Sequence, residues 1–337
     1  MSETRDIPLD ELARLAHAVL RHNGFDAEHT RAIADTVLAA EHDACHSHGI
    51  YRLIGIVQAC RDGLANGCAA PDVIDHAAAV VKVDAQGGFS PLAFERGLPM
   101  LIGKARRGGI AAMAISRCFH LTALWPEVER LAAEQLVGLA MTPSHAWVAP
   151  FGGKRGLFGT NPLAFAWPRP DQEPYVFDFA TSAIARGDIE LHAREDRALQ
   201  PGWALDCAGA PTTDARAALK GAMLPFGGYK GSALATLIEL LAGPLIGDLT
   251  SEQSQHFDAG HGAAPFHGEL ILALDPAAFA PDTTDRDAAA ERLFDGIVEQ
   301  GARLPSQRRR AARRQTLANG FVRVNAALVG ELNRLID

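Results

Sequence analysis

Apolar side chains open the chain at helical spacing, with Leu12, Leu15, Val19 and Leu20 on one face of a segment that reads as a helix from Leu9 to His22 and stops near Gly24. Asp26 stands where a helix cap belongs, ahead of Ile33, Val37 and Leu38 on a second predicted helix. A third helix is predicted from Arg52 to Leu64, closed by Asn66-Gly67. The pattern then changes to short apolar runs alternating with helical stretches. Strands are predicted at Ala77 to Val83, Ile110 to Ile115, Val137 to Met141, Tyr175 to Phe179 and Leu270 to Leu274. Helices are predicted at Leu92 to Arg107, with Pro99 as a kink point, and at Glu127 to Gln135, Gly231 to Ala242 and Asp287 to Gln300. Pro276 to Asp285 reads as a loop. The mixture predicts an α/β or α+β enzyme core without fixing strand order.

Composition narrows the class. A chain of 337 residues, 48% hydrophobic and 21% charged, has the make-up of a globular protein with more than one domain. Its net charge of −8 argues against a nucleic-acid surface. The longest apolar stretch, Leu234 to Ile246, holds Glu239 and Pro244 and falls short of the ~18 residues of a membrane span. The start lacks the basic and apolar regions of a signal peptide, and five scattered cysteines fit a reducing compartment, so a cytoplasmic location is expected.

The densest chemistry lies just after the second helix, in Cys45-His46-Ser47-His48-Gly49-Ile50-Tyr51-Arg52. Imidazole exchanges a proton near neutral pH, serine orients or relays it, and arginine grips a carboxylate through paired hydrogen bonds. The cluster reads first as a proton-transfer site for an acidic small molecule. Two other readings stand beside it. Histidines near a helix end often only cap carbonyls or face water. His42 and His46, four apart, with Asp43 or His48 also make a candidate metal set, ranked lower because neither His-Glu-x-x-His nor paired Cys-x-x-Cys accompanies them. The arginines at 308–310 and 313–314 are read as a solvated helix face or as a phosphate holder.

No Gly-x-Gly-x-x-Gly and no phosphate loop of the Gly-x-x-x-x-Gly-Lys type is present, so a Rossmann assignment is weak. Four mixed-polarity segments appear instead: Phe158 to Pro162, Asp178 to Ser182, Arg186-Gly187-Asp188 and Pro225 to Gly231. With Ser47-His48-Gly49, Gly159-Thr160-Asn161-Pro162, Ala180-Thr181-Ser182 and Gly228-Tyr229-Lys230-Gly231 in this order, the chain resembles the malate/L-lactate dehydrogenase family of nicotinamide-dependent oxidoreductases over nearly its whole length. Within it, the closest likeness is to the Δ1-piperideine-2-carboxylate/Δ1-pyrroline-2-carboxylate reductases. That likeness rests on His46 to Ile50, Ala123-Leu124-Trp125-Pro126, Leu157 to Pro162, Asp178 with Ala180 to Ala185, Pro225 to Gly228 with Lys230 to Leu234, and Arg303-Leu304-Pro305.

The resemblance implies a malate/L-lactate dehydrogenase-like fold with a non-Rossmann NADPH-binding domain over 117–275. It also implies an N-terminal helical segment over 1–70, and a substrate and dimerisation part over 71–116 and 276–337. It implies reduction of a cyclic imino acid, with His48 as proton donor, Ser47 and Asp188 as its relay, and Arg52 and Thr160 on the substrate carboxylate. A carboxylate paired with that relay would favour the protonated imidazole. Cofactor contacts would fall on His120, Leu121, Thr122, Ala123, Leu124, Asp178, Phe179, Ala180, Arg186, Gly187, Tyr229 and Lys230, and on Arg303, Leu304, Pro305, Ser306, Gln307, Arg308 and Arg309. The cationic members favour NADPH over NADH. A homodimer and no bound metal are expected. Phe119-His120-Leu121-Thr122 departs from the His-Phe-Ala-Ala of the reductase group, and Tyr229 stands where histidine also occurs. Two rivals are a 2-hydroxy or 2-keto acid dehydrogenase of malate, lactate or ureidoglycolate type and a His-cluster metal-dependent hydrolase.

Overall fold

A computed structural model describes residues 4–120, 122–261, 264–280 and 282–336. The chain opens with β1 (Thr4–Pro8), α1 (Leu9–His22), α2 (Ala27–His42), a single 3₁₀ turn (His46–His48) and α3 (Arg52–Arg61). Asp26 caps α2 by accepting a hydrogen bond from the His29 N–H at 2.8 Å. α3 ends before the predicted Leu64 because Gly63, at φ 71°, turns the chain there.

The middle of the chain carries β2 (Asp72–Ala77), β3 (Val80–Asp84), α4 (Ser90–Gly108), β4 (Ile110–Phe119), α5 (Trp125–Ala133), β5 (Val137–Met141), β6 (Leu163–Trp167) and β7 (Tyr175–Phe179). The predicted strand Ala77 to Val83 is split: β2 and β3 form an antiparallel hairpin, and the polar, largely exposed β2 is a sheet edge. Then follow α6 (Arg186–Arg194), β8 (Ala204–Leu205), β9 (Pro211–Thr212), α7 (Ala215–Lys220), β10 (Ala222–Met223), α8 (Tyr229–Ala242), α9 (Ser251–Asp258) and β11 (Phe266–Leu274). The chain closes with α10 (Pro276–Phe279), α11 (Thr283–Glu299), α12 (Gln307–Asn319), β12 (Phe321–Asn325) and α13 (Ala326–Asn333). The loop expected from Pro276 to Asp285 holds α10, capped by Asp275, and the start of α11.

Seven strands form one mixed sheet in the order β2-β3-β4-β11-β5-β6-β7, in which only β3 and β4 run parallel. A doubly wound nucleotide fold needs a mostly parallel sheet, so the architecture is of another kind. The sheet draws β2 to β11 from residues 72 to 274, and residues 116 and 117 both lie inside β4. α4 and α5 cover it through Leu101, Val128 and Leu131 against Val83, Met113, Ile115 and Ile271. Gly97 makes that contact possible, since a Cβ there would sit 2.2 Å from the Met113 sulfur. A second core joins α1, α2, α3 and α13 to the β1–β12 pair, where Ile7 faces Val322. A third, smaller core holds α6, α7 and the β10-β8-β9 sheet around Ile189, Ala204 and Met223. Among the described residues no single helix is long and apolar enough to cross a membrane.

Candidate active site

The turn between α2 and α3 is built around Glu41. This buried carboxylate accepts the Ile50 N–H at 2.9 Å through Oε1 and meets His46 Nδ1 at 2.6 Å through Oε2. Gly49 is required by space, because a Cβ there would lie 1.9 Å from Glu41 Oε1. The hydrogen bond to Glu41 raises the pKa of His46, which therefore serves the turn. The candidate metal set does not assemble: α2 ends at His42, His46 lies beyond it in the 3₁₀ turn, and the His42, His46 and His48 ring nitrogens do not converge.

Ser47, His48 and Arg52 do come together. Ser47 Oγ lies 3.1 Å from His48 Nδ1, and the Arg52 Nε–H donates to the Ser47 carbonyl at 2.6 Å. Arg52 opens α3, four residues after His48, so the tight turn holds the two close together. Burial lowers the pKa of Arg52, and burial with the Arg52 charge holds His48 down at about 3. The expected relay departs from this geometry. Asp188 is exposed in the first turn of α6 and makes no hydrogen bond with Ser47 or His48; from α6 it is Glu190 whose charge reaches Arg52. No carboxylate hydrogen-bonds to the imidazole among the described residues, and burial with the Arg52 charge favours its neutral form.

The predicted cofactor residues fall into three groups. In the first, the Asp178 carboxylate, raised to about 6 by burial, accepts the Leu124 and Trp125 N–H groups at 2.8 and 3.0 Å and so caps α5. Trp125 bridges two functions, its ring edge-on to His48 at 6.2 Å and stacked under Arg309 at 4.8 Å. His120, Thr122, Ala123 and Leu124 are buried here, and Leu121 lies outside the described residues. In the second, Thr160 is tied to Thr181, whose N–H and hydroxyl both donate to its carbonyl at 2.8 and 3.1 Å, and Thr181 in turn accepts the Phe226 N–H. That ladder leads to Gly227 and Gly228, both at positive φ, and to the N-terminus of α8 with exposed Tyr229 and Lys230. Phe179 and Gly187 are exposed, Ala180 is half-buried, and Arg186 stacks on Trp147 at 4.4 Å.

The third group is the arginine segment. Arg309 is buried and its guanidinium is engaged by Asp43 at 2.6 Å and by Glu129, with Arg313 bidentate on Asp43 at 2.5 and 2.7 Å. Arg309 thus takes part in a buried ion-pair network, while Arg303 and Arg308 are exposed. Leu304 is buried, Ser306 half-buried and Pro305 and Gln307 exposed. A nicotinamide dinucleotide fits this donor set. Thr122 Oγ1 is buried without a hydrogen-bond partner among the described residues, the glycine pair opens the N-terminus of α8, and the exposed cations complement phosphates.

Sequence reasoning missed a further cluster. His120 at the end of β4, Glu127 in the first turn of α5 and Glu269 in β11 are all buried, and their ring nitrogen and carboxylate oxygens lie within 4.8 Å of one another. A lone carboxyl inside the apolar run Phe266–Leu274 was the available signal.

The chain matches the malate/L-lactate dehydrogenase family over residues 7–333, and it belongs to that family. It is 57% identical over 332 residues, 98% of this chain and 97% of the relative, to Δ1-pyrroline-2-carboxylate reductase 2 of Burkholderia multivorans. It is 54% identical over 330 residues, 98% of both chains, to the Δ1-pyrroline-2-carboxylate/Δ1-piperideine-2-carboxylate reductase of Pseudomonas aeruginosa. The solved structure of Δ1-piperideine-2-carboxylate reductase from Pseudomonas syringae pv. tomato matches with a TM-score of 0.93 at 39% identity, covering 98% of this chain and 99% of that one.

Proposed function

We propose that this chain is an NADPH-dependent reductase of Δ1-pyrroline-2-carboxylate and Δ1-piperideine-2-carboxylate, forming L-proline and L-pipecolate as a cytoplasmic homodimer. The observation that carries the reading is Arg52, a half-buried cation whose Nε is satisfied by a backbone carbonyl rather than a carboxylate, beside the Ser47–His48 pair. A partly desolvated guanidinium without a carboxylate partner favours an anionic ligand. The identity to reductases that act on these cyclic imines supports the substrate class.

Bound NADPH supplies the hydride to the ring carbon. Arg52 clamps the substrate carboxylate and Thr160 gives it a second hydrogen bond. The incoming anion offsets the Arg52 charge that depresses His48, so His48 becomes a better proton carrier when substrate is present. Its proton goes to the ring nitrogen as hydride arrives at carbon. Ser47 orients the imidazole. A role for Asp188 requires α6 to close on the turn. Residues 117–275 would hold the cofactor, with Lys230, Arg303 and Arg308 as phosphate contacts favouring NADPH over NADH, and 71–116 with 276–337 would serve substrate and dimer.

Side-by-side reduction rates with the two cyclic imines, pyruvate and oxaloacetate test the reading. Faster turnover of the imines is expected. Keto-acid turnover equal or faster overturns it in favour of a 2-keto acid dehydrogenase, and activity abolished by a chelator would favour the hydrolase.

A further inference from the structure

Glu239, the carboxylate that interrupts the apolar run Leu234 to Ile246, is not used by the chemistry above. It projects from α8 and is buried. Carboxylates are seldom buried unless a cation pairs with them, yet every hydrogen bond Glu239 makes among the described residues comes from an uncharged N–H group. Oε1 accepts the Asn161 side-chain amide at 2.8 Å and the Gly159 N–H at 3.4 Å, and Oε2 accepts the Ser251 N–H at 2.9 Å. Asn161, itself fully buried, also donates to the Ala235 carbonyl at 3.1 Å and accepts from the Ser251 hydroxyl at 3.3 Å. The Ser251 oxygen in turn accepts the Ser144 N–H at 3.2 Å.

These bonds converge on the two chain neighbours of Thr160. Asn161 sits at φ 38°, in the left-handed region, a conformation that persists only where its surroundings hold it. Gly159 is as confined, since a Cβ there would lie 2.6 Å from both the Ser144 nitrogen and its Cβ. The Thr160 carbonyl is fixed by the Thr181 N–H and hydroxyl. The backbone is therefore clamped before, at and after Thr160, while the Thr160 hydroxyl makes no hydrogen bond with the described residues.

We propose that Glu239 is a positioning residue for the reducing pocket: through Gly159 and Asn161 it sets the backbone that aims the Thr160 hydroxyl at the substrate carboxylate, without touching substrate itself. The proposal rests on the reading of Thr160 as a carboxylate contact. Polarity makes the clamp sensitive. Glutamine keeps the size of the side chain but turns one acceptor oxygen into an N–H donor. That donor meets the Asn161 amide in one orientation and the Ser251 N–H in the other. The first releases the 159–161 segment directly; the second displaces Ser251, whose hydroxyl holds the Asn161 oxygen. α8 also carries the control, because Tyr229 and Lys230 at its N-terminus belong to the proposed cofactor contacts. A merely structural loosening of α8 weakens NADPH along with the substrate acid, whereas a loss of aim weakens the acid alone.

Calorimetric titration of the full chain tests this, first with NADPH and then, on the NADPH-loaded protein, with pyrrole-2-carboxylate, a planar ring acid that takes no hydride. Thr160→Ala should weaken the ring acid on the order of tenfold, and Glu239→Gln by about three- to tenfold. The double variant should lose no more than about twofold beyond Thr160→Ala, since the hydroxyl through which Glu239 acts is already gone. NADPH binding should stay within about twofold throughout. Glu239→Asp, which keeps the carboxylate and shortens its reach, stands in the same cycle if Glu239→Gln does not fold. The proposal is overturned if the Glu239 variant leaves the ring acid unaffected, if its loss multiplies in full with that of Thr160→Ala, or if NADPH weakens as much as the acid. Thr160→Ala alone overturns it by leaving the ring acid at wild-type affinity. A protein that shows the expected binding pattern yet reduces no cyclic imine overturns the reductase reading and leaves the positioning role intact.

Discussion

Two arginine sites in this molecule look alike in sequence and differ in what surrounds them. Arg309, with Arg313 beside it, meets Asp43 and Glu129 in a closed network in which Asp43 alone takes three hydrogen bonds from guanidinium groups. Arg52 is half-buried, its Nε rests on the Ser47 carbonyl, and the carboxylate charge that reaches it is that of Glu190. The consequence appears in their proton affinities: hydrogen bonding to Asp43 raises Arg313, while burial lowers Arg52. A buried cation whose charge is matched within the chain is scaffold. One left for an external anion is a binding group, and the molecule spends folding free energy to keep it so.

The open site should give the largest effect. His48→Ala is expected to cut kcat for imine reduction on the order of 10²–10⁴-fold, with NADPH still raising the melting temperature; near-normal turnover would remove His48 from the chemistry. The same residue leaves a signature in stability. Folded His48 takes its proton only near 3, whereas an unfolded histidine does so near 6.5, so the unfolded chain binds more protons between those values and stability falls as pH falls through that window. His120 and His267, also near 3, act in the same direction. Melting curves of His48→Gln should show a shallower acid decline than wild type.

The closed site comes next. Asp43→Ala strands Arg309 and Arg313 with only Glu129 between them, at a cost of about 3–5 kcal/mol by the measure of broken buried pairs. Urea unfolding checks it. A loss confined to activity, with stability unchanged, would reverse the assignment and return Arg309 to ligand binding.

These sites were unequally legible. The α1 and α2 helices, β5 and β7 follow from apolar spacing and an Asp cap, because local pattern decides local structure when it agrees with burial. Ser47, His48 and Arg52 were readable because a short turn fixes their neighbours within the same stretch of chain. The ion pairs of Arg309 were not legible because its partners, Asp43 and Glu129, lie 266 and 180 residues away in sequence. Glu269 escaped for a related reason. Its neighbours arrive from β4 and α5 only after β11 inserts between β4 and β5, a strand order that periodicity does not carry.

Arg52→Ala measures the open cation itself. Losing charge-assisted hydrogen bonds to a carboxylate costs about 1.5–3 kcal/mol, expected as a KM for the imine raised on the order of ten- to a hundredfold. Folding stability should change little or rise, since a desolvated charge is removed from the fold. An unchanged KM would mean that the substrate carboxylate is held elsewhere, with Thr160 the first alternative to examine.

The smallest effect belongs to Arg314, one turn beyond the closed network. It meets Glu173 through both carboxylate oxygens at 3.1 and 3.2 Å, the geometry of a strong pair, but the two side chains are 64% and 55% exposed. Water and salt screen such a pair, and holding two long side chains in one geometry costs entropy, so Arg314→Ala should shift stability by ~0–1 kcal/mol. The shift should shrink further in high salt, whereas the Asp43→Ala loss should largely persist there because Asp43 and Arg309 are buried. If Arg314→Ala costs as much as Asp43→Ala, then charge on α12 matters as a whole, and the division into matched scaffold and open binding cation fails.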